Sequence, residues 1–391
     1  MKILFVADGR SPTTISWLQF WLNSAHEVHL VSTFPCDRIT GLASLHIIPV
    51  AFNWLSRGKG GQSTPLSRTG ISKDLLRNIR YWIGPISLQF YKGKLEKIVK
   101  DVSPDIIHAL RIPFEGMLVA SMRTTIPYII STWGNDLTLH APGSILMAKL
   151  TRKTLQGASG LISDTHRDLL LGKKWGFSGK TMVIPGGGGI FIKGMDQKQR
   201  DAILPEDLPE VPLVVNPRGQ RPGSLRQDVF FQSISLVLKE EPQTLFICPS
   251  LAGDQDAENW VTKYGIQENV RLWPKLTQPQ LWKLYRRAKV YVSPSLHDGT
   301  PNSMLEAMAS GCFPVVGDIE SLREWVVQGK NGFLIDPNDP LSIAEGITQA
   351  LKNNDLQRKA ASRNITLIAE RAEYWHSMAE VEGLYNLILL R

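Results

Sequence analysis

Ser293-Pro294-Ser295-Leu296-His297-Asp298-Gly299-Thr300-Pro301-Asn302-Ser303-Met304-Leu305-Glu306-Ala307-Met308-Ala309-Ser310-Gly311 follows directly on Val290-Tyr291-Val292. The β-branched run ends as a strand at Pro294, Asp298-Gly299 makes a loop, and a helix opens near Asn302. A strand, a loop and a helix in this order form a unit of a parallel α/β sheet. The first N–H groups of such a helix, at Asn302, Ser303 and Met304, have no intrahelical acceptor, so a diphosphate can bind there. Glu306 lies one turn inside the helix, where its carboxylate reaches a sugar hydroxyl beside the phosphates. The plainer alternative is a capped helix, with Asn302 or Ser303 as the cap and Glu306 near a capping-box position.

Working outward, the same alternation runs through the chain. The first half offers strands at Ile3–Ala7, Glu27–Ser32, Leu45–Phe52, Asp105–Leu110, Tyr128–Thr132, Gly160–Asp164 and Met182–Pro185. The second half offers them at Leu213–Asn216, Thr244–Pro249, Val270–Trp273, Val290–Pro294, Phe313–Gly317 and Gly332–Asp336. Most are continuous apolar runs, the mark of parallel strands covered on both faces. Amphipathic segments lie between them, with Ile15, Leu18, Trp21 and Leu22 on one helix face and Leu281, Leu284 and Tyr285 on another. The expected fold is α/β, with two Rossmann-like doubly wound parallel sheets. Residues 1–192 form the first domain, 193–212 a polar, proline-containing linker, and 213–372 the second domain. Residues 373–391 form a helix that crosses back to the first. Ligands of this architecture sit on loops that follow strands, in a crevice between the two halves, so the search for chemistry narrows to those loops.

Composition sets the outer bounds. The chain has 391 residues, 43% hydrophobic and 20% charged, a globular mix sized for two or three domains. No apolar run approaches the ~18 residues that span a bilayer. The five apolar residues after Met1-Lys2 read as a first strand and are too few for a signal peptide. Cys36, Cys248 and Cys312 are too widely spaced for a disulfide framework or a cysteine zinc site, which points to a reducing, cytoplasmic interior. The net charge is +8, and residues 57–100 alone hold ten basic residues against two acidic ones. Tyr81, Trp82 and Ile83 are interleaved with them, and Trp54 lies just before. This pattern suits an anionic membrane surface, on the inner face for a cytoplasmic protein. A phosphorylated acceptor and a solvated helix face remain alternatives. No nucleic-acid-binding motif accompanies the charge, so nucleic acid is not an expected partner.

The nineteen-residue stretch resembles the GT-B glycosyltransferases, in particular the retaining family 4. The signature of that family is a carboxylate, seven residues, then Glu, followed by Ala-Met-Ala-x-Gly-x-Pro-Val-Val. Here Asp298, seven residues and Glu306 lead into Ala307-Met308-Ala309-Ser310-Gly311-Cys312-Phe313-Pro314-Val315-Val316, one residue longer before Pro314. Glu320–Glu324 and Gly329–Pro337 fit downstream. The resemblance implies that Glu306 holds the donor ribose, while Asp298 with Gly299 and Thr300 holds the sugar. Asp298 is one methylene shorter than the usual Glu, which bears on donor identity. The family has Gly-Arg and then a Lys clamping the diphosphate. Arg218 fits the first position and Arg226 is chosen for the second, with Arg221 as its competitor. Pro274 and Lys275 are expected near the nucleobase.

In the first half, Gly9 follows the first strand and does not belong to a dinucleotide GxGxxG fingerprint. Ser131-Thr132-Trp133-Gly134-Asn135-Asp136 looks like the acceptor-side Thr-x-His-Gly-x-Asp segment of the family, with Trp133 in place of His. Gly9, His108, Asn135 and Asp136 are the acceptor-side candidates. Asp254-Gln255-Asp256 matches a DxD metal motif only in letters, and no metal and no cofactor are expected. The expected reaction moves a sugar from a nucleotide-diphosphate sugar to a hydroxyl of a glycan or lipid-linked acceptor, with retention. Arg218, Arg226, Asp298 and Glu306 are the expected catalytic set. The rivals are a non-catalytic carbohydrate-binding relative and a nucleotide-sugar epimerase.

Overall fold

A computed structural model describes residues 1–50, 73–192, 195 and 200–390. The chain divides into two compact units, Met1–Gly188 with Trp375–Arg391, and Gly189–Tyr374. Trp54, Arg57, Lys59, Arg68 and Lys193 lie outside the described residues.

The first unit holds β1 (Lys2–Ala7), β2 (Glu27–Ser32), β3 (Ser44–Ile47), β4 (Ile106–Ala109), β5 (Tyr128–Thr132), β6 (Gly160–Ser163) and β7 (Lys180–Val183). All are parallel, in the order β3-β2-β1-β4-β5-β6-β7. Ile3, Leu4, Phe5 and Val6 are wholly buried because helices cover both faces of the sheet. The helix Pro12–Leu22 starts with proline, which suits a first turn that needs no N–H. It buries Trp17, Leu18 and Trp21, while Ile15, expected on that face, is exposed. The larger indole of Trp17 takes the inward position. The helix Tyr374–Leu389 packs back on this unit through Tyr385, stacked on Trp21 at 4.6 Å, and through Glu382, 2.6 Å from His26 Nε2.

The second unit holds β8 (Leu213–Val215), β9 (Leu245–Pro249), β10 (Val270–Trp273), β11 (Val290–Ser293), β12 (Phe313–Gly317) and β13 (Phe333–Ile335). Their order is β10-β9-β8-β11-β12-β13, again all parallel. Phe230, Phe231 and Ile234 of helix Gln227–Glu240 share one core with Ile343 and Ile347 of helix Pro340–Lys352. In both sheets the winding direction reverses once, between β1 and β4 and between β8 and β11. Loops that leave adjacent strands there open a ligand crevice at their carboxyl ends.

The expected strands are present, most within a residue or two at each end. The expected Leu45–Phe52 run is a strand only over Ser44–Ile47. Residues 51 and 52 lie outside the described residues. The glycine run begins as a single turn, Gly186–Gly188, with Gly187 at φ 74° and its carbonyl accepting from Ser16 Oγ at 2.8 Å. Ile190 then pairs with the chain's return: its N–H donates to Ala372 O at 2.7 Å, and Tyr374 N–H donates to Ile190 O at 3.0 Å.

The stretch read as a linker behaves differently where it is described. Met195 is buried in the second unit, and Leu204, Leu208 and Val211 pack on the same core. Trp273 Nε1 donates to Glu206 at 3.1 Å, and Arg287 donates to Pro209 O at 2.7 Å. Three apolar side chains set among prolines and acids are enough to seat it. Pattern reading passes over apolar residues that follow no helical or strand period.

Candidate functional site

The loops after β8 and β11 are fastened to one another. Arg226 N–H donates to Pro294 O at 3.0 Å, and Leu296 N–H donates to Ser224 O at 2.8 Å. Gly317 closes the arrangement from β12, because any Cβ there would lie 2.1 Å from Ser295 O. This fastening brings Arg218 and Asp298, 80 residues apart, to 2.5 Å between Nη2 and Oδ2, with side chains 8% and 11% exposed. Arg218 Nη1 also reaches Ser303 Oγ at 3.4 Å, and that hydroxyl is 3.0 Å from Tyr291 OH. Burial lowers the Arg218 pKa, but Asp298 and the nearby Tyr291 outweigh it, so the guanidinium stays charged.

The helix Asn302–Ala309 begins after Pro301, which supplies no side-chain cap. Met304 N–H, expected to be free, is taken by Pro301 O at 2.9 Å, which leaves Asn302 and Ser303 to offer theirs. A capped helix is therefore not what forms, because Ser303 is drawn to Tyr291 and Arg218 instead. Glu306 is 6% exposed and accepts from Gln278 Nε2 at 2.7 Å. Burial pushes its carboxyl up to about 7, against the pull of the Gln278 hydrogen bond. Among the described residues, buried Arg218 Nε and buried Asn302 Oδ1 have no hydrogen-bond partner. A donor and an acceptor left unsatisfied in one place call for a ligand.

The other donor-side candidates are placed as follows. Arg226 opens helix Gln227–Glu240, and its guanidinium is held by both Asp228 oxygens, at 2.9 and 2.8 Å, and by Asn338 at 2.5 Å. Among the described residues its guanidinium bonds to none of Arg218, Asp298 and Glu306, so the structure does not gather it with them. Arg221 donates through Nε to Arg218 O at 3.3 Å. Gly299 N–H turns back to Asp298 Oδ1 at 3.1 Å, and Thr300 Oγ1 accepts from Trp325 Nε1 at 3.0 Å. Pro274 and Lys275 follow β10, both exposed. Asp254 caps helix Gln255–Tyr264 by accepting from Ala257 N–H at 3.1 Å, a structural use of the DxD letters.

In the first unit, His108 is wholly buried. Nδ1 meets Tyr385 OH, Nε2 lies 2.8 Å from Ser131 Oγ, and burial pulls its pKa down to about 3. It is a neutral packing residue with no face toward an acceptor, which corrects its acceptor-side reading. The space beside Gly9 is filled by Cys36 Sγ and Ser32 Oγ, 2.6 and 2.9 Å from where a Cβ would lie. The glycine is thus accounted for by internal packing. Asn135 precedes the turn Asp136–His140, and its carbonyl accepts from Leu139 and His140 at 2.9 and 3.1 Å. Asp136 is 1% exposed and holds Arg111 through Nε at 3.0 Å and Nη2 at 2.5 Å.

Sequence reasoning missed Gln278, Tyr291 and Arg111. Arg111 was within reach, since it follows β4 as Arg218 follows β8. Nothing in the sequence ties Gln278 to a glutamate 28 positions away.

Residues 225–366 match the family model described as glycosyl transferases group 1, and residues 2–165 match the model described as glycosyl transferase 4-like. Among curated relatives, the chain is similar to a D-inositol 3-phosphate glycosyltransferase of Corynebacterium urealyticum, 30% identical over 50% of this chain and 48% of that one. It is also similar to a GDP-mannose:cellobiosyl-diphosphopolyprenol alpha-mannosyltransferase of Xanthomonas oryzae, 28% identical over 33% of this chain and 36% of that one. The chain thus spans less than half the length of these relatives. Among solved structures, sucrose-phosphate synthase from Thermosynechococcus elongatus superposes with a TM-score of 0.73 at 14% identity, covering 100% of this chain and 99% of that one. HepE from Anabaena in complex with UDP superposes with a TM-score of 0.70 at 15% identity, covering 99% and 100%. At such identities the superpositions show the fold.

Proposed function

The chain is a GT-B glycosyltransferase of the family 4-like kind, and on that premise we propose that it moves a sugar from a nucleotide-diphosphate donor to an acceptor hydroxyl with retention of configuration. The observation that carries this is the unsatisfied pair beside the uncapped helix start. Arg218 Nε and Asn302 Oδ1 are buried without partners among the described residues, next to the N–H groups of Asn302 and Ser303. The Arg218 fork and those N–H groups suit a pyrophosphate whose negative charge grows as its bond to the sugar breaks. Supplied in this way, the positive charge needs no metal ion. Glu306, one turn along the helix, takes the ribose hydroxyls, and Asp298 the sugar. The bond from the anomeric carbon to the phosphate oxygen breaks, and the acceptor oxygen adds from the same face. The departing phosphate oxygen takes the acceptor's proton. The first unit receives the acceptor.

A ligand that binds only the folded chain stabilises it by mass action, about 2.7 kcal/mol at a hundredfold excess over Kd. UDP, GDP or ADP, free or sugar-linked, should therefore raise the melting temperature by several degrees. A panel in which none does so would end the proposal.

We also propose that the enzyme works peripherally on an anionic membrane. Helix Lys73–Val102 exposes Trp82, Ile83, Ile86 and Phe90, the last 81% exposed, with Lys97 and Lys100 exposed further along. No helix among the described residues is long and apolar enough to cross a bilayer. The chain should sediment with vesicles containing phosphatidylglycerol and not with phosphatidylcholine alone. Trp82→Ser with Phe90→Ser should abolish sedimentation, and an unchanged pellet would refute the attachment.

A further inference from the structure

The carboxyl ends of β1 and β4 carry guanidinium groups for which the donor chemistry has no use. Arg111 follows β4, and both its Nε and its Nη2 reach Asp136 Oδ1. The other Asp136 oxygen accepts the N–H groups of Ile112 and Trp133, each at 3.4 Å. Asp136 is therefore spent on fixing the direction of Arg111, whose side chain stays 38% exposed. Arg111 Nη1 has no hydrogen-bond partner among the described residues. Arg80, from helix Lys73–Val102, lies 4.8 Å over the Phe114 ring, and it forms no ion pair among the described residues. It is open to solvent, yet burial lowers its pKa, and the Arg111 charge adds to this against Glu115 and Asp8. Phe114 lies three residues beyond Arg111, so the ring that carries Arg80 and the guanidinium aimed by Asp136 belong to one short segment after β4.

Other groups at these strand ends are engaged internally. Arg10 forks onto Asp8, with both bonds at 3.1 Å, and lies 3.7 Å over Phe34. Glu115, 6% exposed, accepts from Thr33 Oγ1 at 2.7 Å, and burial raises its pKa against the pull of Arg111 and Arg80. Phe114, the platform under Arg80, sits at φ 69° and ψ −51°. A bulky residue in that region persists only where its surroundings over-determine it, and such positions gather at ligand sites. Two guanidiniums within electrostatic reach of each other, one aimed by a buried carboxylate and one in no ion pair among the described residues, fit a doubly charged tetrahedral anion. Planar forks suit its oxygens better than point charges do.

We propose that Arg111 and Arg80 form a subsite for a phosphate group carried by the acceptor. This rests on the reading that the first unit receives the acceptor. The acceptor is then a phosphorylated molecule, either a soluble phosphomonoester or a lipid-linked phosphate, held by its phosphate so that a hydroxyl elsewhere on it can react.

The test is calorimetric titration of the full chain, saturated with UDP so that the donor site is filled, with sn-glycerol 3-phosphate in one arm and farnesyl monophosphate in the other. At least one should bind, with an affinity that falls as salt rises. Arg80→Gln and Arg111→Lys should each weaken that binding about tenfold or more, since each removes charge-assisted hydrogen bonds. Their affinity for UDP should not change, which also shows that both variants are folded. Tighter binding of the glycerol ester assigns a soluble acceptor, and tighter binding of the isoprenyl ester a lipid-linked one. No binding of either ester to a chain that binds UDP would overturn the subsite, as would binding that both variants keep in full. A chain that fails to bind UDP would sink the donor reading instead, and the same titrations without nucleotide would still decide this one.

Discussion

Arg218→Ala is expected to lower sugar transfer about 10²–10³-fold, the cost of removing one preorganised donor from a developing oxyanion. The pair it forms with Asp298 complicates the reading, since Asp298 is left as a buried carboxylate without its cation. Breaking such a pair from one side costs about 3–5 kcal/mol, so the variant should also melt earlier. Two companions separate chemistry from folding. Arg218→Lys keeps a charge beside Asp298 but loses the planar fork, so stability should largely survive while transfer stays well below wild type. Arg218→Ala with Asp298→Asn removes the stranded charge, and should recover most of the stability and none of the transfer. The measurements are initial rates with the donor found by thermal shift, beside urea unfolding of each variant. If transfer recovered in the double variant together with stability, Arg218 would be a structural residue and the diphosphate would need another partner.

The sheets were legible because a parallel strand buried on both faces must be apolar at every position. Ile3–Ala7 and Phe313–Gly317 show it plainly. The helix start at Asn302 was legible for a similar reason, since the change from strand to helix period is local. What was hidden is long-range. Arg218 meets Asp298 because β8 lies beside β11, and βα alternation alone does not specify strand order. His108 was misread through a matter of phase. It pairs in register with Phe5 and so shares its face of the sheet, and that face lies under Trp17 and Trp21. A residue one position away along β4 would point to the other side. Asp136 was found, but its role was not, because the Arg111 it aims is 25 residues upstream.

Glu306 is expected to be a site residue whose burial weakens the empty fold. Its carboxyl stands at about 7 in the folded chain, above its ordinary 4.5, and burial is the main cause. A carboxyl raised in this way binds its proton more tightly when folded. Its contribution to stability is therefore complete below pH 4.5 and is lost as pH rises through about 7. The difference of some 2.5 units corresponds to about 3 kcal/mol at pH 8. Glu306→Gln removes the ionisation and can keep the contact with Gln278. It should raise unfolding free energy at pH 8 by up to about 3 kcal/mol and change it little at pH 4.5. The same substitution should weaken donor binding about tenfold or more at pH 8, where an ionised acceptor of the ribose hydroxyls is worth more than an amide. Donor affinity of the wild type should accordingly climb between pH 6 and pH 8, and that of the variant should stay flat. Urea unfolding at the two extremes and nucleotide-sugar titrations across the range read both effects. Equal destabilisation of the variant at both pH values would mean that the buried charge costs the fold nothing. A wild-type affinity that ignores pH would mean that the ribose is held elsewhere.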